Sequence, residues 1–267
     1  MTHPQSTHGF MAVDHQPDPD RYVQCLDTLH QEPFYQTYKA RVRALLRPQP
    51  RRRYLELGGG TGDDARMLAQ TSAAQVVMLD LSKTMARAAC QRGLLNALVG
   101  NGAQLPFASQ SFDGCWADRT FQHLPHPEAT LHELVRVLRP GGRIVVVDPD
   151  YDTQVVAVAD QALAHRIRSY RADVNLQNGT LAHQMIRLFR AAGLRDVQVE
   201  GLTLIVQDPK AVDNVMGLRT WAATAHVRGH LSAAEAVQWE QALDAAIAQE
   251  SFLYAVTFFV TSGSKPH

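Results

Sequence analysis

The run Tyr54-Leu55-Glu56-Leu57-Gly58-Gly59-Gly60-Thr61-Gly62-Asp63-Asp64 constrains this chain more than any other stretch. Four glycines in five positions follow a short apolar segment that opens on Arg51-Arg52-Arg53, and Ala65-Arg66-Met67-Leu68-Ala69 comes after them. That order reads as strand, tight turn, helix. Glycine belongs where the backbone needs a positive φ or where a ligand must come closer than a Cβ allows, so the turn is a candidate cradle for a small molecule. The plain alternative is a glycine-rich βα turn with no ligand, because a glycine motif alone is a weak signal.

A second apolar run, from Ala74 to Leu79, ends in Asp80, twenty positions after Gly60. An acidic side chain at this spacing, on the tip of the second strand, is where α/β nucleotide folds hold the two hydroxyls of a ribose. One carboxylate can accept from both. Two ligand classes then compete, a dinucleotide and S-adenosylmethionine. A G-x-G-x-x-G fingerprint counted from Gly58 would need glycine where Asp63 stands, and counted from Gly60 it ends on Ala65. Asp63 and Asp64 at a helix N-terminus suit the helix dipole but would repel a pyrophosphate placed there. A sulfonium cation meets no such objection, so the arrangement favours S-adenosylmethionine.

Five successive stretches extend the pattern: Leu55 to Gly62, Leu79 to Met85, Gly100-Asn101-Gly102-Ala103-Gln104-Leu105-Pro106-Phe107, Ser111-Phe112-Asp113, and Arg136-Val137-Leu138-Arg139-Pro140-Gly141-Gly142. In this order and spacing, over about residues 50 to 150, the chain resembles the class I S-adenosylmethionine-dependent methyltransferases. It looks most like their small-molecule branch, the ubiquinone/menaquinone-biosynthesis and natural-product enzymes. The resemblance implies an α/β fold: a Rossmann-like seven-stranded, mostly parallel sheet with helices on both faces, an antiparallel last strand and a helical lid. It also implies S-adenosyl-L-methionine as cofactor, held by Glu56, Gly58, Gly60, Asp80, Leu81, Met85, Asn101, Gly102, Ala103 and Asp118. In the family the residue at Met85 lies against the adenine face and the residue at Asn101 accepts from the adenine amino group. The commoner aspartate is replaced here, but an asparagine still accepts through its carbonyl.

At 267 residues the chain can bury a full core as one large domain or as one domain with a cap. The resemblance divides it into an N-terminal tail with cap helices (1–50), a cofactor-binding core (51–150) and the rest of the sheet with helical lid insertions over the acceptor site (151–267). Lys plus Arg and Asp plus Glu number 26 each, so no net field draws in nucleic acid or an acidic membrane. Arg51-Arg52-Arg53 reads as a solvated lead-in to a strand. Cys25, Cys90 and Cys115 lie far apart without a C-x-x-C pair, which argues against a disulfide scaffold or a zinc site. No apolar stretch reaches the ~18 residues of a membrane span, and no basic-then-apolar leader opens the chain. The expectation is a soluble, cytoplasmic, metal-independent protein with a small-molecule substrate, a homodimer remaining open.

Residues 1–17 are polar and aperiodic and are expected to be flexible; His3, His8 and His15 match no ligand spacing. Tyr22, Leu26 and Leu29, then Tyr35, Tyr38, Val42 and Leu45, fall at helical spacing and predict two helices broken at Pro33. Tyr22, Phe34, Tyr35 and Tyr38 either line an acceptor pocket or pack the core. The core is predicted as strands at 54–58, 75–80, 96–99 and 112–117, with helices at 63–70, 82–92 and 127–138. Ser82 caps the second helix. A buried parallel strand at 143–148 ends in an Asp148-Pro149-Asp150-Tyr151 turn. Helices at 155–170 and 181–192, a strand at 196–206, helices at 209–226 and 232–249 and a last strand at 252–260 complete the prediction.

His123 follows the fourth strand, at the sheet end where ligands bind, and imidazole has the right unperturbed pKa for a general base near neutral pH. In relatives a histidine at this place more often shapes the cofactor pocket. Asp148 and Asp150 either orient an acceptor or cap their turn. Trp221, with Arg168, Arg171, His183, Arg187 and His226, is a candidate for the lid's inner face, although each residue by itself is more often a packing or surface residue. The implied reaction is in-line displacement of a sulfonium methyl onto an O, N or C atom, where alignment is worth roughly 7–11 kcal/mol. Two other classes stay open. A nicotinamide oxidoreductase leaves Leu105-Pro106-Phe107 and Arg139-Pro140-Gly141-Gly142 unexplained. A protein that binds S-adenosylmethionine in this pocket but isomerises or cyclises its substrate would never form S-adenosylhomocysteine.

Overall fold

A computed structural model describes residues 7–210, 212 and 217–267. Seven strands form one sheet: β1 (Arg53–Leu57), β2 (Gln75–Asp80), β3 (Ala97–Val99), β4 (Phe112–Asp118), β5 (Leu138–Val156), β6 (Arg195–Val206) and β7 (Tyr254–Ser264), in the order β3-β2-β1-β4-β5-β7-β6. The first five pair in parallel, and β7 runs antiparallel between β5 and β6. The chain direction reverses about β1, which has β2 on one side and β4 on the other. A crevice opens at such a switch point, beyond the carboxyl ends of the strands.

Alternating strand residues feed two cores, one on each face. Tyr54, Met78, Trp116, Val145 and Val147 face one side, and Leu55, Leu57, Val77, Cys115, Ile144 and Val146 face the other. The helices are α1 (Asp20–Gln31), α2 (Pro33–Leu46), α3 (Asp63–Ser72), α4 (Lys83–Gln91), α5 (Pro127–Val137), α6 (Gln161–Tyr170), α7 (Met185–Ala191), α8 (Thr220–Val227) and α9 (Ala233–Ala248). Local chemistry sets several of their starts. Pro33 opens α2 at the first helical position, where its missing N–H costs nothing. Ser82 caps α4 by accepting from the Met85 N–H, and Ser232 with Glu235 forms a capping box on α9.

The structure departs from the sequence expectation in two regions. Residues 7–15, expected to be flexible, form 3-10 turns whose Val13 is buried against Tyr22 and Met85. Strand β5 does not stop at 148. It runs on to Val156 because β7 pairs with it along that length, Asp148 opposite Phe259 and Val156 opposite Tyr254, across a register shift between Asp150 and Val155. The supposed Asp148–Tyr151 turn is therefore strand. The helix expected from Val155 starts instead at Gln161, where the Asp160 side chain accepts from the Leu163 N–H. Part of the helix expected at 209–226 lies outside the described residues. All three cysteines are free thiols. Among the described residues, no helix is long and apolar enough to cross a membrane, and no group of three or more His, Cys, Asp or Glu side chains could hold a metal ion.

Candidate functional site

The carboxyl ends of β1, β2 and β4 open into a cavity of about 340 Å³, within the range of roughly 300–1,000 Å³ common for small-molecule sites. Its floor is the glycine turn. Gly58 (φ 66°), Gly60 (φ 55°) and Gly62 (φ 74°) take left-handed backbone conformations, which side chains disfavour. The Gly60 N–H donates to Asp80 Oδ2 at 2.9 Å, and the Ser82 N–H donates to Asp80 Oδ1 at 2.8 Å. Burial pushes the Asp80 carboxyl up, and the hydrogen bonds from Ser82 and Gly60 only partly offset it. Each carboxylate oxygen holds one backbone donor and so retains accepting capacity. An acceptor pair beside a turn with no side chains suits the two hydroxyls of a ribose, so the residues present fit an adenosine ligand.

Glu56 also lines the cavity, yet both its oxygens are held by the protein, Oε2 by the Ala65 N–H and Oε1 by the Trp116 indole, each at 3.1 Å. Burial, with Asp64 nearby, pushes its carboxyl well above the usual carboxylate range. It ties the glycine turn to the start of α3. Leu81, Met85, Asn101 and Gly102 line the same end of the cavity. Ala103 does not; its N–H donates to Asn101 Oδ1 at 2.9 Å, which leaves that carbonyl one lone pair for a ligand.

Beyond the turn lies a charged cluster. Lys39 Nζ contacts Asp64 Oδ2 and stands 3.6 Å from Asp118 Oδ2, and the Tyr38 hydroxyl lies 3.0 Å from both Asp118 oxygens. Arg119 Nε reaches Asp118 Oδ1 at 3.4 Å, and its guanidinium sits 4.9 Å over the Tyr35 ring. The far wall is apolar, with Tyr35, Pro149, Tyr151 and Phe258. Burial pushes the Tyr35 phenol up to about 12, so it stays a neutral donor. His123 lines the cavity from a 3-10 turn (Phe121–His123), its ring stacked 6.2 Å from Phe10.

Several expected wall residues stand elsewhere. Tyr22 meets Phe10 edge-on at 4.9 Å and backs the N-terminal segment. Tyr38 is fully buried behind Asp118. Trp221 is a core residue, with the Arg171 guanidinium 4.2 Å over its ring and Tyr254 against its edge. Because side chains alternate along a strand, Pro149 and Tyr151 face the cavity while Asp148 and Asp150 face away. Asp150 accepts from His183, whose Nδ1 lies 2.6 Å from its Oδ2. No described residue between 152 and 257, and so none of Arg168, Arg171, His183, Arg187 and His226, lines the cavity. Its cover comes from Phe10 and Val13 and from Cys25, Leu26, Leu29 and His30 on α1.

Asp148 has a different task. It is 2% exposed, its Oδ1 accepts the Gln122 N–H at 3.3 Å, and its Oδ2 has no hydrogen-bond partner among the described residues. It thereby holds the turn that carries His123. Burial, aided by the nearby Asp118 charge, pushes its carboxyl well above the usual range. A carboxyl raised on folding favours the folded state at pH below its unfolded value and loses that contribution as pH climbs toward the folded one. Urea unfolding at pH 5.5 and pH 8 should therefore show Asp148→Asn gaining on the wild type as pH rises. A stability difference that does not change with pH would mean that Asp148 is ionised in the fold.

Sequence reasoning missed Asp14, Lys39, Arg119 and Thr120. Asp14 Oδ1 accepts the Ser82 hydroxyl at 2.7 Å and the Thr84 N–H at 3.0 Å, while its Oδ2 accepts the Lys83 N–H at 2.8 Å. Burial raises its carboxyl, but these bonds outweigh that and hold it well below the usual range. Lys39 was legible in principle, one helical turn after Tyr35 on α2.

Residues 55–146 match the family model described as "Methyltransferase domain". An uncharacterized 37.1 kDa protein in transposon TN4556 of Streptomyces fradiae is 31% identical over 244 residues, 89% of this chain and 70% of that protein. The ubiquinone/menaquinone biosynthesis C-methyltransferase UbiE of Dinoroseobacter shibae is 37% identical over 123 residues, 43% of this chain and 49% of that protein. The chain thus matches about half the length of that named relative. Among solved structures, phosphoethanolamine N-methyltransferase 2 of Haemonchus contortus, in complex with phosphomonomethylethanolamine and S-adenosylhomocysteine, superposes with a TM-score of 0.62 at 18% identity, over 97% of this chain and 61% of that one. At that identity the likeness is one of fold.

Proposed function

Since the chain belongs to the class I S-adenosylmethionine-dependent methyltransferases, with S-adenosylmethionine as cofactor, we propose that it methylates an O, N or C atom of a small, ring-bearing acceptor of the secondary-metabolite or quinone type. One observation carries this reading. A single cavity runs from Asp80, Gly60 and Asn101 at one end to Tyr35, Tyr151 and Phe258 at the other, so a nucleoside end and an aromatic-walled end share one space.

The cofactor supplies an activated methyl on a cationic sulfur with a neutral leaving group. The chain's residues then have to bind and align. Asp80 takes the ribose hydroxyls, Leu81 and Asn101 flank the adenine, and Asp64 or Asp118 offers a carboxylate to the ammonium of the methionine end. Tyr35, Pro149, Tyr151 and Phe258 hold a flat acceptor against the reacting centre and exclude water, which is where most of the rate gain in an in-line displacement comes from. A hydroxyl acceptor must lose its proton, and His123, which lines the cavity together with a second imidazole, that of His30, is suited to take it. An amine acceptor needs only to arrive deprotonated.

The test is calorimetric titration with S-adenosylmethionine, S-adenosylhomocysteine and NAD(H), with mass spectrometry of the protein as isolated, followed by an acceptor screen read by S-adenosylhomocysteine release. Micromolar binding of the sulfonium pair alone, with turnover on a phenolic or amine acceptor, supports the reading. Tight cofactor binding with an acceptor consumed but no S-adenosylhomocysteine formed would assign a non-methylating reaction instead.

A further inference from the structure

We propose that Arg119 is the anion anchor of the acceptor site and that the molecule to be methylated carries a carboxylate-type group which its guanidinium receives. This rests on the methyl-transfer reading and narrows its substrate class.

Four observations lead there. The Arg119 side chain is only 18% exposed, yet its one protein hydrogen bond among the described residues is the 3.4 Å contact from Nε to Asp118. That is well beyond the ~2.7–2.9 Å of a good charge-assisted bond. Asp118 is already engaged by the Tyr38 hydroxyl and by Lys39. A guanidinium offers five N–H donors in a planar fork, and on this side chain, which lines the cavity, the other four have no protein acceptor among the described residues. A guanidinium largely withdrawn from bulk water, with donors to spare, is poised to exchange its remaining water for an anionic ligand.

The backbone is the second observation. Seven non-glycine residues among those described have a positive φ, and Arg119, at 51°, is the one of them that lines the cavity. Its N–H donates to the Val147 carbonyl at 2.7 Å, which fixes that conformation. Unfavourable backbone geometry retained at a ligand-facing residue is the mark of a side chain whose aim matters.

The third is the setting. The guanidinium lies over the Tyr35 ring at 4.9 Å, and Phe258 packs against the same ring at 5.9 Å. Contact with an aromatic face restrains the guanidinium, whose fork can receive a carboxylate through two N–H groups at once. An aromatic or similarly flat acid fits both the wall and the fork.

The fourth is charge. Lys39, Arg43 and Arg119 face two carboxylates, Asp64 and Asp118, with Arg43 Nη1 3.9 Å from Asp64 Oδ1. Glu56, beside them, is shifted toward its neutral form by burial. Asp63 and Asp80 line the same cavity, so its wall carries more acidic than basic side chains, with Lys39 and Arg119 as the basic ones. S-adenosylmethionine brings a net positive charge that the acidic side chains can receive, whereas Arg119, over Tyr35, puts a cation at the aromatic end of the cavity. The cofactor's own carboxylate is the rival occupant, and the test separates the two.

The S-adenosylhomocysteine-loaded protein is titrated with paired probes, 4-hydroxybenzoate against 4-hydroxybenzamide and indole-3-acetate against indole-3-acetamide, by ligand-observed NMR. The wild type should bind at least one acid ten-fold or more tighter than its amide. Arg119→Gln should reduce that preference to within two-fold, and Arg119→Lys, which keeps the charge but loses the fork, should fall between. The affinity for S-adenosylhomocysteine should stay within three-fold in both variants. Equal binding of acid and amide by the wild type, or binding of neither acid, overturns the proposal. So does a ten-fold or larger loss of S-adenosylhomocysteine affinity in Arg119→Gln, which would give Arg119 to the cofactor. Should the Gln variant not fold, the wild-type contrast and the Lys variant decide. Failure of the wild type to bind S-adenosylhomocysteine would count against methyl transfer instead, and the acid–amide contrast on the unloaded protein would still judge Arg119.

Discussion

Asp80→Ala should weaken the binding of S-adenosylmethionine and S-adenosylhomocysteine by roughly 2–4 kcal/mol, a loss of about 30-fold to several hundred-fold in a calorimetric titration. The size follows from the kind of bond removed. Two hydroxyl donors to one buried carboxylate are charge-assisted, and the variant leaves both ribose hydroxyls facing apolar surface. Asp80 also holds the Gly60 and Ser82 N–H groups, so part of the loss would come from a relaxed turn. Asp80→Asn separates the contributions. It keeps the shape and one acceptor, and it should fall between Ala and wild type. Unchanged affinity in the Ala variant would sink the ribose assignment.

Gly58→Ala should destabilise the fold by roughly 2–4 kcal/mol in urea unfolding and lower cofactor affinity with it. Two effects add. The backbone sits at φ 66°, where an alanine is strained, and a Cβ would lie 2.3 Å from Thr120 Oγ1 and 2.6 Å from its Cγ2. Thr120 is not free to swing aside, because its hydroxyl lies 3.1 Å from both the Leu57 and Asp118 carbonyls. Adding Thr120→Ala to the variant should recover the steric part and leave the backbone part. An unaltered urea midpoint in Gly58→Ala would show that the turn and β4 are not packed as closely as this.

The glycine turn, the parallel strands and Asp80 were legible because each is written locally, in turn chemistry, apolar runs and a fixed spacing within one βαβ unit. The length of β5 was not. Its second half exists because β7 pairs with it from about a hundred residues away, and no local pattern around Asp148 reports that partner. The same error turned Asp148 toward the cavity, since a turn and a strand aim consecutive side chains differently. Trp221 failed for the opposite reason: a large aromatic in an inserted helix fits a lid or a core equally well until its neighbours are known. Arg119 was visible only as the residue after a strand, and nothing in the sequence marks its left-handed backbone or its place over Tyr35.

Asp14 and Asp80 meet at one residue. Ser82 gives its hydroxyl to Asp14 and its N–H to Asp80, so the N-terminal segment that roofs the cavity and the carboxylate on its floor are joined through a single serine at the start of α4. Closure of the roof and occupancy of the floor then share a coupling free energy, and such coupling is reciprocal: whatever factor one adds to the other, it receives back. The segment 7–15 is thus placed to bias cofactor occupancy from the side opposite the floor it covers. A cover joined to its floor in this way ties the entry and exit of a ligand to the order of the cover itself.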